Sequence, residues 1–98
     1  MIYYRQIEGC VTYQVYEFEL THCSLQHYEK LRVFIQTLGR NNYPQEIGVL
    51  QIKHKLFFIS FPTYGYPIFK INFYRWTSSE QVTYYLNLLN DYLEQGVP

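Results

Sequence analysis

The sequence predicts a single α+β domain spanning residues 1–98. Segments rich in Tyr, Phe, Val and Ile recur at strand-like lengths, and two others place their apolar residues at spacings of three and four. The links between neighbouring strand segments are too short for parallel crossovers. The expected order is ββαβββα, a mostly antiparallel five-stranded sheet with two amphipathic helices packed on it. A chain of 98 residues supports one core. With 12 Tyr, 7 Phe and no alanine, large rings must do most of the space-filling.

Ile2 to Ile7 and Cys10 to Leu20 read as two strands of a hairpin turned at Glu8-Gly9, where glycine can adopt the positive φ of a tight turn. The second strand alternates Val11, Tyr13 and Val15, after which Phe18 and Leu20 change parity; a bulge near Tyr16 or Glu17 would reconcile them. Ser24 can cap a helix whose stripe is Leu25, Tyr28, Leu31, Phe34, Ile35 and Leu38, with Gly39 as its stop. Asn41 to Pro44 reads as a loop. Ile47 to Lys53 and Lys55 to Phe61 follow as strands, the latter apolar on both parities and therefore central in the sheet. After the connection from Pro62 to Pro67, Ile68 to Trp76 is the last strand. Thr77-Ser78-Ser79-Glu80 starts a helix with the stripe Val82, Tyr85, Leu86, Leu89 and Leu93, ended by Gly96 and Pro98.

This order of elements resembles that of the profilin-like and roadblock or longin-type domains, a resemblance of topology over the whole chain without a shared residue motif. It implies a platform for protein partners. In those families helices can cover both sheet faces, whereas the alternation here leaves one face partly polar.

Little in the chain supports catalysis. The only aspartate, Asp91, falls among solvent-facing helical positions, and Ser78 and Ser79 are better placed as caps than as nucleophiles. Glu17 and Glu19 share one strand face about 7 Å apart by strand rise, a spacing a glycosidase could use, but alternating glutamates ordinarily mark a solvated face. His22, Cys23 and His27 are the one cluster of ligand types; a structural zinc would need two more ligands from His54 and Cys10, and the usual paired spacings are absent. No glycine-rich phosphate loop occurs. The protein is therefore expected to be non-enzymatic, without a cofactor or bound metal, and its cysteines to be reduced thiols. The N-terminal MIYYRQIEG lacks a signal-peptide pattern, and the longest apolar run is LFFI. A soluble, cytoplasmic protein is expected.

Charge supplies the one asymmetry. Between Glu46 and Glu80 no acid occurs, while Lys53, Lys55, Lys70 and Arg75 give that span +4 in a chain of zero net charge. On the last strand Phe69, Ile71 and Phe73 share one parity, expected to pack on the helices with Leu50 and Ile52. Lys70, Asn72, Tyr74 and Trp76 share the other. Tyr3, Arg5, Lys53, Lys70, Asn72, Tyr74 and Trp76 are the expected binding residues of an aromatic and basic sheet face. Its expected occupant is a protein partner, acidic in character, or a second copy offering Glu80, Asp91 and Glu94 of its C-terminal helix. A single-stranded nucleic acid stacked on the same rings is the alternative, and a small inhibitor or accessory factor from a mobile element is a further one. The plain alternative is that the tyrosine hydroxyls only wet the rim of the sheet.

Overall fold

The alternating rings and β-branched residues of the strand segments pair into one antiparallel sheet, seen in a computed structural model that describes residues 1–8, 11–42, 49–63 and 65–96. Among the described residues the elements are β1 (Tyr4–Ile7), β2 (Tyr13–Glu19), α1 (Leu25–Gln36), β3 (Arg40–Asn42), β4 (Leu50–Lys53), β5 (Phe57–Phe61), β6 (Ile68–Tyr74) and α2 (Ser79–Glu94). The six strands lie in the order β1-β2-β6-β5-β4-β3. Every neighbouring pair is antiparallel. As its two apolar parities predict, β5 is an interior strand.

Both helices begin where hydroxyl caps allow. The Ser24 hydroxyl accepts the His27 amide at 3.1 Å. Ser78 and Gln81 form a reciprocal capping box, with Glu80 in the first turn where the helix dipole favours an acid. Tyr28 of α1 stacks on Phe61 at 5.1 Å, and Tyr85 of α2 meets Phe57 edge-on at 4.8 Å. Phe57 and Phe61 share one parity of β5, so both helices cover the same sheet face. Phe34 and Tyr92 then stack between the helices at 4.7 Å. A shortest extent of 24 Å accommodates one sheet and one helix layer, each about 10 Å thick. Among the described residues no element covers the opposite face.

The core between the layers is ring-filled. Phe18, Phe57, Phe61, Phe69 and Phe73 are fully buried with Leu31, Ile35, Ile52, Ile59, Ile71 and Leu89. Each such side chain contributes about 1.5–3 kcal/mol relative to its exposed state. Phe18 and Phe69, directly opposite in register, stack at 4.9 Å with planes 4° apart.

Several boundaries differ from the sequence expectation. The sheet has a sixth strand, because Arg40–Asn42, whose two asparagines the sequence assigns to a loop, pairs with Gln51–Lys53. Pairing at an edge overrides the turn preference of asparagine over so short a span. The expected bulge in β2 is absent: Tyr13 to Glu19 pairs with β6 without interruption, and β1 continues the same parity. Tyr16 and Phe18 therefore face the helices, while Tyr13 and Val15 stay on the uncovered face. The α1 helix ends at Gln36 with Thr37 as its cap, and Leu25 is exposed. Gly39 does not have a positive φ. Its lack of a side chain serves β3–β4 pairing, since a Cβ there would overlap the Lys53 carbonyl. Gly9, Cys10, Tyr43, Pro44, Ile47 and Pro98 lie outside the described residues.

Buried Asn90 of α2 fixes the start of the chain. Its carbonyl accepts the Tyr3 amide at 2.7 Å and its amide donates to the Met1 carbonyl at 2.9 Å. The amino terminus lies 3.2 Å from Glu94. Replacing Asn90 by Ala strands the buried Tyr3 N–H, so Asn90→Ala should lower unfolding free energy by about 1–3 kcal/mol in urea titrations. An unchanged midpoint would refute that role.

In the β4–β5 turn, the His54 Nδ1 accepts the Leu56 amide at 3.1 Å and the ring stacks on Phe57 at 4.5 Å. Burial, and then the Lys55 charge, lower its pKa from 6.5. The unfolded chain thus takes up this proton at a higher pH than the folded one. Stability from this group is complete above 6.5 and is lost as pH falls toward the folded pKa. Urea unfolding between pH 7.5 and 5.5 should show a smaller acid loss for His54→Asn, which retains an acceptor but does not titrate; equal losses would exclude the linkage.

Candidate functional site

The uncovered sheet face is organised by register into cross-strand rows. One row runs Arg5, Glu17, Lys70, Ser60, Gln51, and the adjacent one Ile7, Val15, Asn72, Phe58, Lys53, Arg40. A third pairs Tyr13 with Tyr74. The first row alternates in charge, with the Arg5 guanidinium 3.3 Å from Glu17 and Lys70 directly opposite Glu17 on the other side. Beside these charges lies a ring cluster. Tyr13 meets Phe58 edge-on at 5.2 Å and lies tilted against Tyr74 at 5.5 Å, and Tyr74 stacks with Trp76 at 5.6 Å, planes 2° apart. Trp76, the only tryptophan of the chain, is 68 % exposed. At the opposite end a shallow groove of about 330 Å³ is bordered by Val49, Pro62, Ile68 and Lys70.

Of the residues expected on this face, Arg5, Lys53, Lys70, Asn72 and Tyr74 are there, and Trp76 extends it beyond the strand end. Asn72 is 9 % exposed, its amide donating to the Phe58 carbonyl at 3.4 Å, so it belongs to the floor of the face. Tyr3 is not on the face. It precedes β1, is 7 % exposed, and lines a crevice with His27 and Leu93 of the helices. Burial and the nearby Glu94 carboxylate raise its phenol pKa. Parity placed it correctly only for a chain already in the strand; the Asn90 hydrogen bond draws it toward α2 instead.

Ile7, Tyr13, Val15, Glu17 and Phe58 are the members that sequence reasoning missed. The parity shared by Tyr13, Val15, Glu17 and Glu19 is visible in the sequence, but an assumed bulge moved the first two away. The basic span is likewise tempered in space, because Glu17 on β2 sits between Arg5 and Lys70.

Other candidate chemistry resolves into structural roles. Glu17 is held by Arg5, and Glu19 accepts the Thr21 hydroxyl at 2.5 Å. Ser78 caps α2. Among the described residues no group of three His, Cys, Asp or Glu could hold a metal. Burial pushes the Cys23 thiol pKa up. The His27 Nε2 lies 2.9 Å from the Tyr92 carbonyl, its ring stacks on Tyr92 at 5.3 Å, and a Cβ on Gly96 would overlap it. No helix among the described residues is long and apolar enough to cross a membrane.

No protein-family model, curated protein or solved structure matches the chain significantly.

A clamp made by His27 between the helices should be independent of metal. EDTA should leave the melting temperature unchanged, whereas His27→Ala should cost about 1–2 kcal/mol through its lost hydrogen bond and packing. Stoichiometric zinc, or melting sensitive to the chelator, would reverse that assignment.

Proposed function

We propose that this chain is a small non-enzymatic protein-binding module that docks its partner on the uncovered sheet face. The observation that carries the reading is the ring cluster of Tyr13, Phe58, Tyr74 and Trp76 beside the Arg5–Glu17–Lys70 row. Tyr, Trp and Arg are the residue types enriched where protein interfaces concentrate their binding energy, and charged rows around rings set orientation. The carboxylates of Glu17 and Glu19 on the same face support a protein partner over a nucleic-acid strand, whose phosphates they would repel. A cytoplasmic setting fits the thiol character expected of Cys23.

Capture of binding proteins from the native host by immobilised protein tests this reading. Trp76→Ala should abolish capture at unchanged thermal stability, because the ring is 68 % exposed. Val33→Ala, at a position 61 % exposed on α1, should leave capture intact. The reverse pattern would move the binding surface to the helical layer. Retained capture by Trp76→Ala together with saturable, salt-sensitive binding of a mixed oligonucleotide would favour nucleic acid instead.

A further inference from the structure

We propose that the occupant of this face is a second copy of the same chain, related by a two-fold axis that runs along the strands between β2 and β6. The proposal rests on the reading of the face as a protein-binding surface and adds the partner and its geometry.

An axis in the plane of a face-to-face contact exchanges positions on either side of it. If it lies midway between two antiparallel strands, each residue comes to sit over the residue that is its own cross-strand neighbour. For β2 and β6 this sets Glu17 over the second copy's Lys70, and Tyr13 over its Tyr74. Arg5, one strand further out, comes over Ser60. No like charges meet in this row. Moving the axis onto β2 itself would stack Glu17 on Glu17 and Arg5 on Lys70; moving it onto β6 would stack Lys70 on Lys70. Like-charge contacts of that kind are strongly disfavoured in an interface, so the row selects the axis between the strands.

A second observation, independent of charge, agrees. Beyond the Tyr13–Tyr74 pair the chain leaves β6 in a turn closed by the Thr77 amide on the Tyr74 carbonyl at 2.9 Å, and Val11 and Trp76 stand at this same end of the ladder, where the Arg75 Nε donates to the Val11 carbonyl at 3.2 Å. These are exposed apolar side chains, at 88 % and 68 %. Because the axis runs along the strands, it brings this apolar end of one copy against the same end of the other and draws these side chains out of water. The zero net charge of the chain presents no long-range repulsion between copies.

The overlap covers β1, β2, β6 and β5 of each copy and leaves β4 and β3 projecting on either side. The overlapping strands, four residues of β1, seven each of β2 and β6 and five of β5, at about 4.8 Å by 3.4 Å per residue give a planar footprint of about 400 Å² per copy, below the standard size of specific interfaces. The dimer is therefore concentration-dependent, with the two sheets crossing at about 30° as aligned sheets do.

Trp76, as the only tryptophan, reports the contact directly. Sedimentation equilibrium with intrinsic fluorescence, up to about 1 mM protein, should show a monomer–dimer equilibrium with Trp76 emission shifting to the blue as dimer forms. Lys70→Glu and Glu17→Lys should each weaken the dimer at least about 10-fold. An equimolar mixture of the two variants should dimerise again, because each copy then meets the opposite charge it lacks within itself. Circular dichroism checks that each variant is folded. If Glu17→Lys is not, Val11→Asp, at a position 88 % exposed, carries the test through a comparable loss of dimer. A monomer throughout the range overturns the proposal while leaving host capture and its dependence on Trp76 to decide the binding-face reading. A dimer insensitive to these substitutions, or not restored on mixing, overturns it as well and locates self-association elsewhere.

Discussion

The seven-residue antiparallel ladder between β2 and β6 is the constraint on which both faces of the molecule depend. Strand side chains alternate, so one unbroken register fixes the core and the exposed surface together. On the helix side it brings Phe18 onto Phe69 and Tyr16 opposite Ile71. On the other it brings Glu17 against Lys70 and Tyr13 against Tyr74. A slip by one residue would expose the stacked phenylalanines and bury the charges, each a loss of several kcal/mol.

From that ladder the rest of the core is built outward. The β5 strand adds Phe57, Ile59 and Phe61 to the same inner face, and the helices close over it through Tyr28, Tyr85 and the Phe34–Tyr92 stack. Polar groups serve the closure at its edges. Asn90 ties the chain start to α2, His27 bridges α1 to the end of α2, and Thr77 donates to the Leu56 carbonyl at 3.0 Å beneath the helix start. With both helices committed to one side, the other side of the sheet keeps half-buried rings, a central Asn72 and a balanced row of charges.

That balance changes how the basic stretch of the sequence is understood. Counted along the chain, Lys53, Lys55, Lys70 and Arg75 form an acid-free run, which points to an anionic partner. In the sheet, β2 inserts Glu17 and Glu19 beside β6, and Arg5 joins Glu17 from β1. Net attraction for a polyanion falls, and a surface with both signs in register emerges. That matched alternation is what the proposed pairing of two copies rests on.

The sequence by itself determined the α+β class, both helices with their Ser24 and Ser78 caps, the interior position of β5, and the opposite parities of Phe69, Ile71, Phe73 and of Lys70, Asn72, Tyr74. These follow from local period and capping chemistry, which act within a few residues. Only the tertiary structure decided the rest: that Arg40–Asn42 pairs as an edge strand, that β2 runs without a bulge, that Tyr3 turns under α2, and that Glu17 stands between Arg5 and Lys70. Each depends on a partner far along the chain, reached through hydrogen bonds and packing that no local pattern records.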